Sequence, residues 1–69
     1  MKKSNEYSFM QIEAFANERD MELREIGPDV IGESIVIIKP DEMSTITFVM
    51  TGYNGNGAIY ECVYCDYSE

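Results

Sequence analysis

The chain has no histidine and no tryptophan, and only five of its 69 residues are Lys or Arg. Each shortage excludes something. Without histidine, the usual base beside a serine or cysteine nucleophile is missing, and zinc loses its nitrogen ligand. With so few cations, of which only Lys2 and Lys3 are adjacent, there is no basic cluster to follow a nucleic-acid backbone. The same scarcity disfavours docking on anionic lipid. No run approaches the roughly 20 apolar residues that span a bilayer. No apolar stretch follows Lys2 and Lys3 as a secretory signal requires. The cytoplasm is the expected compartment.

Cysteine is also scarce. Cys62 and Cys65 are the only two, too close in sequence to staple a fold. Their spacing is half of a zinc motif whose other half is absent, so a metal site would need a zinc-bridged dimer or carboxylates such as Glu61 and Asp66. Residues three apart on a strand point to opposite faces, so the pair cannot close on one ion unless the strand ends before Cys65. A redox role would place the motif at a helix N-terminus, and none is predicted there. Cys62 reads as a small core residue between Tyr60 and Tyr64, which the alternation puts on one face. No cofactor is expected.

What the chain does have is acid. Thirteen Asp and Glu give a formal net charge of −8. Glu13, Glu18, Asp20, Glu22, Glu25, Asp29 and Glu33 form a dense stretch broken by Arg19 and Arg24, and Asp41 with Glu42 forms a second cluster. Acidity of this kind keeps a small protein soluble. It also steers a basic partner into contact, and carboxylates spread on one face imitate nucleic-acid phosphates. Tyr53, among Gly and Asn residues at a loop tip, is the candidate aromatic anchor of such an interface.

Local patterns give the fold. Ser8-Phe9-Met10-Gln11 has the form of a capping box, with Tyr7 and Ile12 at the positions of a hydrophobic staple. Phe9, Ile12, Phe15 and Ala16 then fall on one helical face, predicting a helix from about Phe9 to Arg19. Met21 to Ile26 alternates until Gly27-Pro28-Asp29 breaks it. Ser34 to Lys39 is a β-branched run that marks a strand covered on both faces or lying centrally. Thr45 to Thr51 turns Ile46, Phe48 and Met50 inward. Gly52 to Gly57 reads as a hairpin loop, followed by a strand from Ala58 to Tyr64. The expectation is one α+β domain over residues 1–69: an N-terminal helix packed on a three- or four-stranded antiparallel β-meander, with 1–6 and 66–69 frayed.

A domain this small has little room for a catalytic cleft, and the glycines at 52–57 lead into a strand where a phosphate-binding loop needs a helix. The expected function is therefore non-enzymatic. In size and charge alone, the chain is similar to small acidic inhibitors of nucleic-acid enzymes from bacteria and phages. That reading makes it a binding protein that inhibits or regulates a basic, nucleic-acid-handling partner, without touching nucleic acid or membrane itself. The alternative is an assembly module that forms a homodimer through an exposed β-edge, the first and last strands being the unguarded edges.

Overall fold

The computed structural model describes residues 2–55 and 57–67. Six elements follow in order: β1 (Glu6–Ser8), α1 (Phe9–Glu18), β2 (Glu22–Ile26), β3 (Ile35–Lys39), β4 (Ile46–Asn54) and β5 (Gly57–Cys65). The helix begins where its cap predicts. The Gln11 amide donates to Ser8 Oγ at 3.2 Å, and Gln11 Oε1 accepts from the Ser8 amide at 2.8 Å, so two orphan donors of the first turn are satisfied reciprocally. At the other end Asp20 takes a positive φ of 54°, a conformation Asp tolerates better than most side chains. The Met21 amide returns to the Ala16 carbonyl at 2.8 Å.

The antiparallel sheet has five strands, in the order β1-β5-β4-β3-β2. The expected three or four strands therefore need correcting, and the helix is not the first element. The added strand is β1, three residues long, with Tyr7 paired to Tyr60. Its shortness hid it, because Tyr7 and Ser8 were already accounted for as staple and cap. Strands β2 to β5 form the expected meander, and β1 lies beside β5 at the far edge. Helix α1 thus carries the chain across one face, from the β1 edge to the β2 edge. The last strand is not an edge: the edges are β1 and β2.

At the chain's start, the Ser4 amide donates to the Cys62 carbonyl at 2.7 Å, and the Cys62 amide to the Asn5 carbonyl at 2.9 Å. Near its end, Asp66 Oδ1 accepts from the Thr45 amide at 2.6 Å, and Tyr67 packs on the core. Met1, Ser68 and Glu69, also expected to fray, lie outside the described residues.

One face of the sheet and the inner face of α1 make the core. Ile12 and Ala16 from the helix meet Val36, Ile38, Ile46, Phe48, Met50, Tyr60 and Cys62 from the sheet, all buried. Ile46, Phe48 and Met50 point inward as alternation requires. Strand β3 lies inside the sheet, yet its outer residues Ile35 and Ile37 are only half-buried, because no described helix or strand covers that side.

Two irregularities interrupt the β4–β5 ladder. Thr47 pairs with Tyr64 and Phe48 with Cys62, which leaves Val63 as an extra residue; Thr51 is extra in the same way between Met50 and Gly52. A bulge shifts the alternation by one. Beyond Val63 the faces are exchanged, so Cys65 pairs with the inward Ile46 and stands on the same face as Cys62. The expectation of opposite faces is corrected accordingly. Tyr60 and Tyr64 are separated by the same shift: Tyr60 is buried, while Tyr64 is 49% exposed on the other side.

Candidate partner-binding surfaces

The antiparallel ladders sort the acidic residues to two poles rather than one face. Glu22 pairs with Lys39 and Ile26 with Ile35, so β2 begins at the pole where β3 ends. Glu18, Asp20, Glu22, Asp41 and Glu42 gather there, with Asp66 beside Thr45. Glu25, Asp29 and Glu33 occupy the opposite pole, and Glu13 projects from the exposed side of α1. The continuous acidic stretch of the sequence is therefore divided.

Some of these carboxylates already have work. Asp41 organises its own turn, with Oδ1 accepting from the Met43 amide at 2.8 Å and Oδ2 from the Ser44 hydroxyl at 3.4 Å. Glu22 accepts from Arg24 at 3.4 Å and Glu18 from Arg19 at 3.5 Å, exposed pairs that add little stability. Arg19 also lies over the Phe15 ring, 4.0 Å from its centroid.

The Glu25–Asp29 pole carries a groove of about 510 Å³ on the helix side of the sheet. Phe9 and Met10 from the first turn of α1 form one wall, and Ala58 and Tyr60 from β5 its floor. Glu25 and Asp29 stand on the β2 side. The buried Ser34 and Tyr60 hydroxyls lie 3.4 Å apart in its depth, and the Phe9 and Tyr60 rings are tilted at 6.1 Å. The loop expected over Gly52 to Gly57 is mostly ladder, because β4 runs to Asn54 and β5 begins at Gly57; Tyr53 is therefore not at a loop tip but in β4, where its pairing with Ala58 points it to this same side, 60% exposed. Met10, at 64%, is similarly exposed.

The groove thus brings together two residues singled out in the sequence, Glu25 and Asp29, while Tyr53 stands on the same side of the sheet outside its lining. The groove adds Phe9, Met10 and Ala58. Met10 lies off the apolar stripe of α1, and Ala58 has no chemistry to advertise it, so only the register of β5 places them. Apolar walls beside two carboxylates suit the stem and head of a Lys or Arg side chain.

Cys62 and Cys65 are not joined in a disulfide. Cys62 is fully buried and its Sγ donates to the Tyr64 carbonyl; Cys65 is half-buried and donates to the Tyr67 carbonyl. Burial first, and then the Cys65 thiol beside it, push the Cys62 thiol above its ordinary value. A thiol held protonated is a poor nucleophile and a poor metal ligand. Among the described residues, no cluster of three or more His, Cys, Asp or Glu is placed to hold a metal ion. No helix among them is long and apolar enough to cross a membrane.

The second surface is the sheet face away from α1, over which no described helix or strand lies. Its central row runs Glu6, Glu61, Val49, Ile35 and Ile26 from the β1 edge to the β2 edge. The next row runs Tyr64, Thr47, Ile37 and Arg24. At the β2 edge, Glu22, Arg24, Ile26, Ile37, Lys39 and Thr45 line a hollow of about 270 Å³. Tyr64 donates to Asp66 at 3.3 Å, and that negative neighbour pushes the phenol above its ordinary value.

No family model, curated protein or solved structure matches this chain.

Proposed function

We propose that the chain is a non-enzymatic, acidic binding protein of the cytoplasm that docks on a basic, nucleic-acid-handling partner and inhibits or regulates it. The observation that carries this reading is the groove at the Glu25–Asp29 pole, where apolar walls meet two carboxylates in a chain of net charge −8, with the exposed Tyr53 on the same side of the sheet. The partner's basic side chains enter the groove, and its positive field meets the remaining acid. Long-range charge accelerates encounter, while Tyr53, Phe9 and Met10 supply the part of the affinity that salt does not screen. Occupying a basic channel in place of phosphates is the form of inhibition this surface favours.

The test is capture of partners from nuclease-treated lysate on the tagged protein, followed by elution in a salt gradient. Release of a basic nucleic-acid enzyme below about half-molar salt, where the Debye length is only a few ångströms, together with loss of that enzyme's activity on adding the protein, is the expected outcome. Binding that ignores salt, or a partner without basic character, contradicts the reading.

A further inference from the structure

Strand β2 is the longer of the sheet's two edges, five residues against three in β1. Alternate residues of an antiparallel edge strand give their amide and carbonyl to the neighbour inside, and the rest turn theirs outward. Among the described residues, none outside β3 bonds to the backbone of β2. An outward row of backbone donors and acceptors is a template for one more strand.

The two faces beside this edge differ. Leu23, paired with the buried Ile38, faces the helix side, and Glu25, two residues on, has the same orientation. Together with Asp29 it forms the β2 side of the 510 Å³ groove. Glu22, Arg24 and Ile26 point the other way and line the 270 Å³ hollow with Ile37, Lys39 and Thr45. Arg24 is occupied by Glu22 at 3.4 Å. The exposed Ile26 and the half-buried Ile37 are the apolar surface of that hollow.

An added strand must match both faces at once, because residues opposite each other across a ladder share a face and successive ones alternate. The residue opposite Glu25 therefore lies on the helix side, beside that carboxylate and at the mouth of the groove. The residues before and after it lie on the open side, towards Ile26 and Ile37. A Lys or Arg suits the first position, and apolar β-branched residues suit the other two. Charge favours a foreign strand over a second copy, whose β2 carries two glutamates and one arginine and brings another −8. We propose that β2 is the docking edge for an extended segment of the partner, a Lys or Arg flanked by apolar residues, which joins the sheet as a sixth strand with its cation beside Glu25. This rests on the proposed function and deepens it, naming the part of the partner that is recognised. Main-chain bonds hold the segment, and the alternation of cationic and apolar side chains selects it.

The test titrates the full chain with a blocked heptapeptide that has arginine at its centre, valine on either side and threonine beyond. Calorimetry should show binding, and a peptide with glutamate in place of arginine should not bind. Methylating the central backbone nitrogens one at a time should weaken binding at least about tenfold at alternate positions only, since the others point away from β2. In the complex, alternate amides of β2 should exchange with solvent at least about tenfold more slowly. Glu25→Lys, at an exposed position, should weaken binding about tenfold, with circular dichroism checking that the variant folds. No binding at about millimolar peptide overturns the proposal. So does N-methylation without alternation, unchanged exchange in β2, or a chain that dimerises through β2 without peptide. With the captured partner, a complex weakened by Glu25→Lys and Asp29→Lys whose β2 exchange is unchanged overturns edge docking and leaves the groove as the binding site. A partner indifferent to both carboxylates overturns the proposed function as well.

Discussion

Gly27 and Gly32 share a backbone conformation, with φ at 88° and 85°, and differ in their surroundings. A Cβ at Gly27 would run into the carbonyl oxygen of Glu33, whereas one at Gly32 meets nothing within 4 Å. Gly32→Ala should therefore cost only the strain of a left-handed residue, about 1 kcal/mol. Gly27→Ala adds a clash with backbone that cannot rotate away, and should cost more than about 2 kcal/mol. Urea midpoints of the two variants check this, and equal midpoints would refute it. Sequence showed Gly27 as a turn residue beside Pro28, but the approach of residue 33 to residue 27 exists only in the folded loop.

Cys62 offers a second residue-level test. Burial and the neighbouring Cys65 thiol raise its pKa above 9.0, so the unfolded chain loses this proton before the folded one does. The stability it contributes is full below pH 9.0 and declines as pH rises through the folded value. Cys62→Ala should remove part of the alkaline loss of stability. The part due to Tyr64, raised by Asp66, should remain. In native protein, alkylating reagent should modify the half-buried Cys65 well before the fully buried Cys62.

Among the elements, the helix was the most legible, and the reason is local. Ser8, Gln11 and the apolar stripe are all within one short segment, and each states the same start. Ser8→Ala should cost about 1 kcal/mol by the urea midpoint, and Gln11→Ala less, since it frees only the reciprocal bond. The three inner strands were legible for a similar reason, β3 from its β-branched run and β4 from its alternation up to Met50. What the sequence did not reveal depends on partners distant along the chain. Strand β1 is three residues whose identity as a strand rests on pairing with Tyr60, 53 positions beyond Tyr7. The bulge at Val63 has no glycine or proline to mark it, yet it decides that Tyr64 faces out and that Cys62 and Cys65 face the same way. Simple alternation past such a point assigns every following side chain to the wrong face.

For the whole molecule, 69 residues imply a net stability of only about 3.5–10 kcal/mol. Phe48 is the largest fully buried side chain, at the middle of the sheet and edge-on to Tyr7 at 6.1 Å. Phe48→Ala should cost about 3–5 kcal/mol, enough to leave much of the chain unfolded at room temperature by circular dichroism. Composition made the acidity and the candidate carboxylates legible, but not their division between two poles, which follows from strand pairing. Pairing likewise brings Glu25 and Asp29 to one groove with Phe9 and Met10 while sending Asp41 and Glu42 to the far end.

That separation allows net charge to be tested against place. Glu25→Lys with Asp29→Lys and Asp41→Lys with Glu42→Lys change the total charge equally, at opposite poles. The most direct measurement is the association and dissociation rates of each variant with the captured basic partner. The groove requires the first pair to speed dissociation and weaken affinity by at least about tenfold, while the second only slows association modestly. Equal losses from both pairs, or a larger loss from Asp41 and Glu42, would mean that the groove is not where the partner binds.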